Sequence, residues 1–228
     1  MLAACGLAAA LGAGAAGGAA GASTSSAKAV VAAARKAILA ESAVRVSSTA
    51  RSTKTHKVTE TAQFDAGRHV SRQRYATTSA RVDILLTPTD AFFSGNKAGL
   101  TTMFAMPSND VAKVGTKWVD VTSSEAQYKD FSSAVLSSLP QDFLPGASAK
   151  HLRLTTTTQK GAKLDVLTWT ASTTSFRLTV PATGRALPLE EQEVQGAVTQ
   201  VTTFGHWNEH IVVHRPRHTI AFATLLHG

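Results

Sequence analysis

Two long stretches of this chain alternate apolar and polar residues with a period of two, and this pattern constrains the fold more than any other feature. The first stretch covers residues 44 to 86 and is clearest at Val82 and Ile84. The second begins after Gly146 and is clearest over residues 176 to 180. A period of two with many Thr and Val residues is typical of β-strands that present one face to a core and the other to water. The pattern predicts long antiparallel strands on both sides of a central segment.

Two other segments have the period of a helix. Residues 27 to 41 place Val30 and Ile38 on one face of a predicted N-terminal helix. Residues 124 to 138 predict a second, continuous helix. The order of elements is therefore a helix, a block of strands, a small helical insert over about residues 122 to 146, and a second block of strands. This order indicates an α+β fold.

The chain begins with the residues MLAACG, and Cys5 is its only cysteine. Leu-Ala-Ala-Cys is the pattern at which bacterial lipoproteins are cleaved and acylated, because small residues admit the peptidase and the thiolate accepts the diacylglyceryl group. We interpret Cys5 as a lipidation site, which places the protein on the extracytoplasmic face of the cell membrane with its true start upstream. The alternative is an accidental cysteine in an alanine-rich leader.

Residues 7 to 26 carry no charge and few side chains larger than alanine. Such a segment cannot bury enough surface to offset the entropy lost on ordering. We therefore expect a lipidation motif and flexible linker over residues 1 to 26, and one domain over residues 27 to 228. A rival interpretation makes residues 7 to 20 a signal-peptide core, but glycines weaken that helix and no positive charge precedes it.

The net charge of +8 raises the question of an anionic partner. The densest basic group is Arg68, Arg72 and Arg74, which the pattern places on a strand rather than on a helix. Aromatic residues make up only 6% of the chain, which argues against stacking on nucleic-acid bases. A basic excess on a tethered domain instead favours contact with anionic lipid, acidic wall polymer or an envelope protein.

Catalytic and metal-binding patterns are weak. Histidines recur every four residues at His206, His210, His214 and His218. The apolar residues between them favour a strand, in which such neighbours stand roughly 13 Å apart, too far to share a metal ion. No nucleophile, P-loop, dinucleotide or zinc-protease motif occurs. We therefore expect no catalytic residues, no metal and no cofactor.

Several segments, taken together, resemble an actinobacterial lipoprotein family. They are Gly115 to Val121, Lys163 to Thr168, Ala182 to Leu189 and Phe204 to Glu209, together with the cysteine-anchored linker and the N-terminal helix. Proteins of this kind are similar in fold to the LolA and LppX/LprG carriers. The resemblance covers about residues 27 to 226. It implies a strongly curved antiparallel sheet, a half-barrel, that wraps around the N-terminal helix and the helical insert and leaves an apolar cavity.

The leading hypothesis is a non-catalytic, lipid-anchored domain that binds a lipid or glycolipid between the sheet and the helices. Periodicity selects the candidate cavity residues, which are Val30, Ile38, Leu85, Phe131, Leu136 and Phe176. The alternative is an interaction or sensing module of the cell envelope with a filled core and no ligand. A hydrolase acting on the envelope is a third hypothesis, and no motif supports it.

Overall fold

The alternating stretches form strands of one large sheet in the computed structural model, which describes residues 24–225. The helices are α1 (Thr24–Ala40), α2 (Lys97–Met103), α3 (Ser108–Val114), α4 (Tyr128–Ser132) and α5 (Leu139–Phe143). The strands are β1 (Ala43–Ser52), β2 (Val58–Gly67), β3 (Ser71–Thr77), β4 (Arg81–Leu86), β5 (Asp90–Gly95), β6 (Trp118–Thr122), β7 (Lys150–Gln159), β8 (Ala162–Ala171), β9 (Thr174–Pro181), β10 (Glu190–Gln195), β11 (Val198–Gly205) and β12 (Thr219–Ala221). Two 3₁₀ turns cover Leu136–Ser138 and Phe222–Thr224.

The strands are ordered β12-β6-β5-β4-β3-β2-β1-β11-β10-β9-β8-β7 across the sheet. Neighbouring strands are antiparallel, except that β12 runs parallel to β6. The sheet is curved, and its edge strands β12 and β7 do not close on each other. The prediction of an α+β fold with a curved antiparallel sheet is confirmed.

The strand register separates the two faces of the sheet. Val82 and Ile84 are buried beneath the helices, whereas Arg81 and Asp83, which alternate with them along the strand, point to the opposite face. We call the helix-covered face the concave face and the other the convex face. The period of two in the sequence therefore reports which side of the sheet each residue occupies.

The first core cluster lies between the helices α1 and α5 and the strands β1, β2, β7, β8, β9 and β11. Ala27, Ala34 and Ile38 of α1 are almost fully buried, and they pack with Leu167 and Leu178 of the sheet. Alanines on the buried side let the helix approach the sheet closely. This cluster anchors the N-terminal helix to one half of the concave face.

The second core cluster covers the other half of the concave face. Ile84 and Val119 of the sheet pack there with Leu100 of α2. Asn96 caps α2, because its side-chain oxygen accepts a hydrogen bond from the Gly99 amide at 2.8 Å. The short helices α2, α3 and α4 thus form a roof over this half of the sheet.

The prediction of one continuous helix over residues 124 to 138 is wrong. The chain forms α4, an extended residue at Val135, a 3₁₀ turn and then α5. Ser132, Ser133 and Ser138 donate side-chain hydrogen bonds to carbonyls three residues earlier, which competes with regular helix bonding. Pro140 lies inside α5, near its start, where a missing amide hydrogen costs little.

The strand predicted from the apolar residues between His210 and His214 is also wrong. Residues 206 to 218 form no regular element, and they connect β11 to β12. Asn208 fixes the start of this connection, because its side chain accepts a hydrogen bond from the Ser42 amide at 2.8 Å and donates one to the Glu41 carboxylate. We call residues 206 to 218 the convex connection, because Arg215 contacts the convex face.

Candidate functional site

A partly enclosed apolar cavity of about 380 Å³ lies within the second core cluster. Its floor comes from β5 and β6, and its walls come from the α2–α3 region, α4 and the C-terminal 3₁₀ turn. The lining residues are Phe93, Met103, Phe104, Ala105, Met106, Pro107, Asp110, Val121, Gln127, Asp130, Phe131, Phe222 and Leu225. We call this space the roof cavity.

Three phenylalanines form one rigid wall of the roof cavity. The Phe93 and Phe104 rings stack with their centroids 4.1 Å apart. The Phe93 and Phe131 rings also stack, with their centroids 5.7 Å apart. Strand alternation directs Phe93 into the concave face, and α4 delivers Phe131 from above. Stacked aromatic contacts of this kind fix the ring positions, so one wall of the cavity is preorganised.

Two flexible methionine side chains also line the cavity. Met103 and Met106 flank the end of α2 and the segment that follows it. Methionine is unbranched and polarisable, so it can adapt to apolar molecules of different shape. Asp110 and Gln127 add polar groups to the same lining, and Asp110 is held by Lys113 at 3.1 Å. The cavity thus combines an apolar body with a few polar groups, which is the usual composition of a small-molecule site.

The structure places only one of the six predicted cavity residues in the roof cavity, namely Phe131. Ile38 and Leu136 belong to the first core cluster, and Val30 and Phe176 pack against it. Phe176 stacks on Trp169 with their centroids 5.1 Å apart, which makes this pair a packing element.

Leu85 differs from the other five predicted cavity residues. It is half-buried and alternates with Ile84 and Leu86, so it lies on the convex face opposite the helices. The six residues are therefore not brought together in one site.

Sequence reasoning missed most of the cavity. Phe93, Phe104, Met103 and Met106 were not among the predicted residues, and α2 and α3 were not predicted at all. Asn96 followed by a short amphipathic run was the one available signal for α2, because asparagine is a favoured N-cap. Helices of seven residues are too short for periodicity to reveal them.

A buried carboxyl group lies on the concave face away from the roof cavity. Glu191 in β10 is 3% exposed, and its Oε1 atom has no hydrogen-bond partner. Burial, followed by the negative charges of Glu193 and Asp142, raises the pKa of Glu191 to about 8. The Glu191 side chain is therefore mostly protonated at neutral pH, as an isolated carboxyl group in a core has to be.

The convex connection is held by an ion pair at the far end of the sheet. The Arg215 guanidinium lies 2.5 Å from the Asp120 carboxylate and stacks over the Phe92 ring at 5.5 Å from its centroid. Burial raises the pKa of Asp120, and the positive charge of Arg215 opposes that shift. Arg215 therefore stabilises a carboxylate that burial alone would disfavour.

Two of the three arginines in the basic group predicted from the sequence already have partners within the protein. Arg74 pairs with Asp83 at 3.0 Å, and Arg68 donates a hydrogen bond to the Ala40 carbonyl at 3.5 Å. Arg72 is exposed on the convex face.

Among residues 24–225, no three His, Cys, Asp or Glu side chains are arranged to hold a metal ion. Within the same range, no helix has both the length and the apolar character needed to cross a membrane.

Known structures share this architecture. The chain aligns with LprF from Mycobacterium bovis at a TM-score of 0.55 and 11% identity, over 85% of this chain and 98% of LprF. It aligns with the Mycobacterium tuberculosis lipoprotein LppX at a TM-score of 0.52 and 11% identity, over 84% of this chain and all of LppX. No protein-family model and no curated protein matches the sequence.

The chain therefore has the fold of the LprF and LppX proteins, and the predicted resemblance is confirmed at the level of the fold.

Proposed function

We propose that this protein is a lipid-anchored, extracytoplasmic lipoprotein that binds a hydrophobic ligand, a lipid or glycolipid, in the roof cavity. The observation that carries the proposal is the aromatic and methionine-lined cavity between the sheet and its helices. The fold shared with the lipoprotein LppX adds support. The role is one of binding, and no chemical step is assigned to the site.

The cavity volume sets the size of the ligand. About 380 Å³ lies in the lower part of the roughly 300–1,000 Å³ range of small-molecule sites. A single acyl chain or a compact apolar group suits such a volume, so a larger lipid would leave its remaining parts outside. Each buried methylene would contribute about 0.8 kcal/mol, and Gln127 and Asp110 would contact a polar head group.

The anchor is proposed at Cys5, which lies outside the residues that the structure describes. Two or more acyl chains on this residue would hold the protein firmly at the membrane, because one chain binds only weakly. Metabolic labelling with a clickable palmitate analogue tests this step. Incorporation that persists in Cys5→Ala would contradict it.

A cavity-filling substitution tests ligand binding. Met103→Trp places a larger side chain into the roof cavity, whereas Leu39→Trp adds the same ring to an exposed position on α1. We expect a pyrene-labelled fatty acid to bind the unmodified chain and Leu39→Trp equally, and to bind Met103→Trp at least roughly tenfold more weakly. Thermal unfolding checks that both variants remain folded. Equal affinity for all three proteins, or no binding to any, would contradict the proposal.

A further inference from the structure

A groove of about 360 Å³ crosses four neighbouring strands near the β7 edge of the sheet. The register aligns Arg153 of β7 with Thr168 of β8, Thr168 with Arg177 of β9, and Arg177 with Gln192 of β10. Residues aligned in this way point to the same side of a sheet. Leu167 and Leu178, which precede and follow this row along their strands, belong to the first core cluster. The row therefore lies on the convex face, on the opposite side from the roof cavity.

Arg153 and Arg177 lie on either side of Thr168 in this row. Arg153 and Arg177 flank Thr168 on alternate strands, so their backbones are roughly 10 Å apart. Both side chains are exposed, and within residues 24–225 neither has a carboxylate at ion-pair distance. Glu190, the nearest outward-facing acid of β10, lies opposite Thr179 rather than Arg177. Guanidinium groups bind planar oxyanions through paired hydrogen bonds.

We propose that this groove binds an acidic polysaccharide, with one oxyanion of the polymer held between Arg153 and Arg177. The hydroxyl groups of Thr168, Thr170 and Ser175 line the same groove and can hydrogen-bond sugar hydroxyls. The net charge of +8 would steer a polyanion towards the protein. We call this site the arginine groove.

The arginine groove suits a polysaccharide better than a membrane surface. Proteins that lie on a bilayer present apolar and aromatic side chains beside their basic groups. Here the one large apolar side chain that is both exposed and part of the groove, among the described residues, is Val194 at 37%. Trp169 and Phe176 also line the groove, but Trp169 belongs to the first core cluster and Phe176 packs against it. The row on the convex face presents the guanidinium groups of Arg153 and Arg177, which suit the oxyanion of an acidic sugar.

Binding of polygalacturonate to the full chain tests the proposal, with neutral dextran as the uncharged polymer. We expect calorimetry to show binding of polygalacturonate and none of dextran. The double variant Arg153→Gln/Arg177→Gln should weaken binding at least roughly tenfold. The control Arg35→Gln/Lys36→Gln removes the same charge from exposed positions on α1 and should leave affinity within about twofold.

A third variant separates hydrogen bonding from charge. Thr168→Val keeps both arginines, so it should lower affinity without changing the dependence of binding on salt concentration. Equal weakening by the two double variants would overturn the proposal, because it would show attraction to net charge alone. Binding to phosphatidylglycerol vesicles without binding to polygalacturonate would also overturn it and would assign the face to a membrane. These results do not depend on whether the roof cavity takes a ligand.

Discussion

Replacing Glu191 by glutamine should make the protein more stable at alkaline pH and leave it nearly unchanged at acidic pH. The carboxyl group is buried on the concave face between Leu178 and Thr202, and its Oε1 atom has no hydrogen-bond partner. Burial is the main reason that its pKa lies at about 8 rather than at 4.5. Glutamine has nearly the same shape and does not ionise.

The shift in the pKa of Glu191 sets the magnitude and the sign of the change in the free energy of unfolding. Between pH 4.5 and 8 the folded state keeps a proton on Glu191 that the unfolded state has lost, so the free energy of unfolding falls as the pH rises. The difference between about 8 and 4.5, at about 1.36 kcal/mol per pH unit, gives at most about 5 kcal/mol. Domains are stable by only about 5–15 kcal/mol, so the effect is large.

Urea unfolding followed by tryptophan fluorescence at a series of pH values between 5 and 9 measures the effect. We expect the free energy of unfolding of Glu191→Gln to exceed that of the unmodified protein by an amount that grows with pH and levels off above about 8. Glu190→Gln, at an exposed neighbour on the convex face, should change stability by less than about 0.5 kcal/mol at every pH. A constant difference between Glu191→Gln and the unmodified protein across this range would refute the reasoning.

Two further substitutions test the packing. Arg215→Ala leaves the buried Asp120 carboxylate without its partner. Because the Arg215 side chain is 61% exposed, we expect the free energy of unfolding to fall by only about 1–3 kcal/mol, as measured by thermal unfolding. An unchanged melting temperature would contradict this. Gly99→Ala would place a Cβ atom against the Arg81 carbonyl oxygen, closer than van der Waals contact allows, and should lower the free energy of unfolding by roughly 1–3 kcal/mol. Gly146→Ala would place its Cβ atom where no atom lies within 4 Å, so it should leave stability nearly unchanged. Equal effects at both glycines would count against the close approach.

The strands could be predicted because each buries one face and exposes the other. Phe176, Leu178 and Val180 alternate with polar residues, and this stretch lies within β9 as the sequence indicates. Helix α1 was also predictable, since its small apolar residues repeat over more than four turns. In both cases one local period determines the outcome.

The roof cavity could not be predicted because it depends on segments without a local period. Phe104 lies just after α2, and Phe222 comes from the end of the described chain. These residues are far apart in sequence and meet only through the sheet order, which places β12 beside β6. Leu85 shows the same limit, because an apolar run in a strand does not indicate which face a residue occupies.

Native mass spectrometry of the full chain, produced in a lipid-containing host and followed by solvent extraction, tests the central claim most directly. The account predicts one bound apolar molecule per chain, and it predicts that Met103→Trp loses this molecule while Leu39→Trp keeps it. An unliganded mass for the unmodified protein, repeated after incubation with envelope lipids, would contradict the account and would favour an interaction module with a filled core.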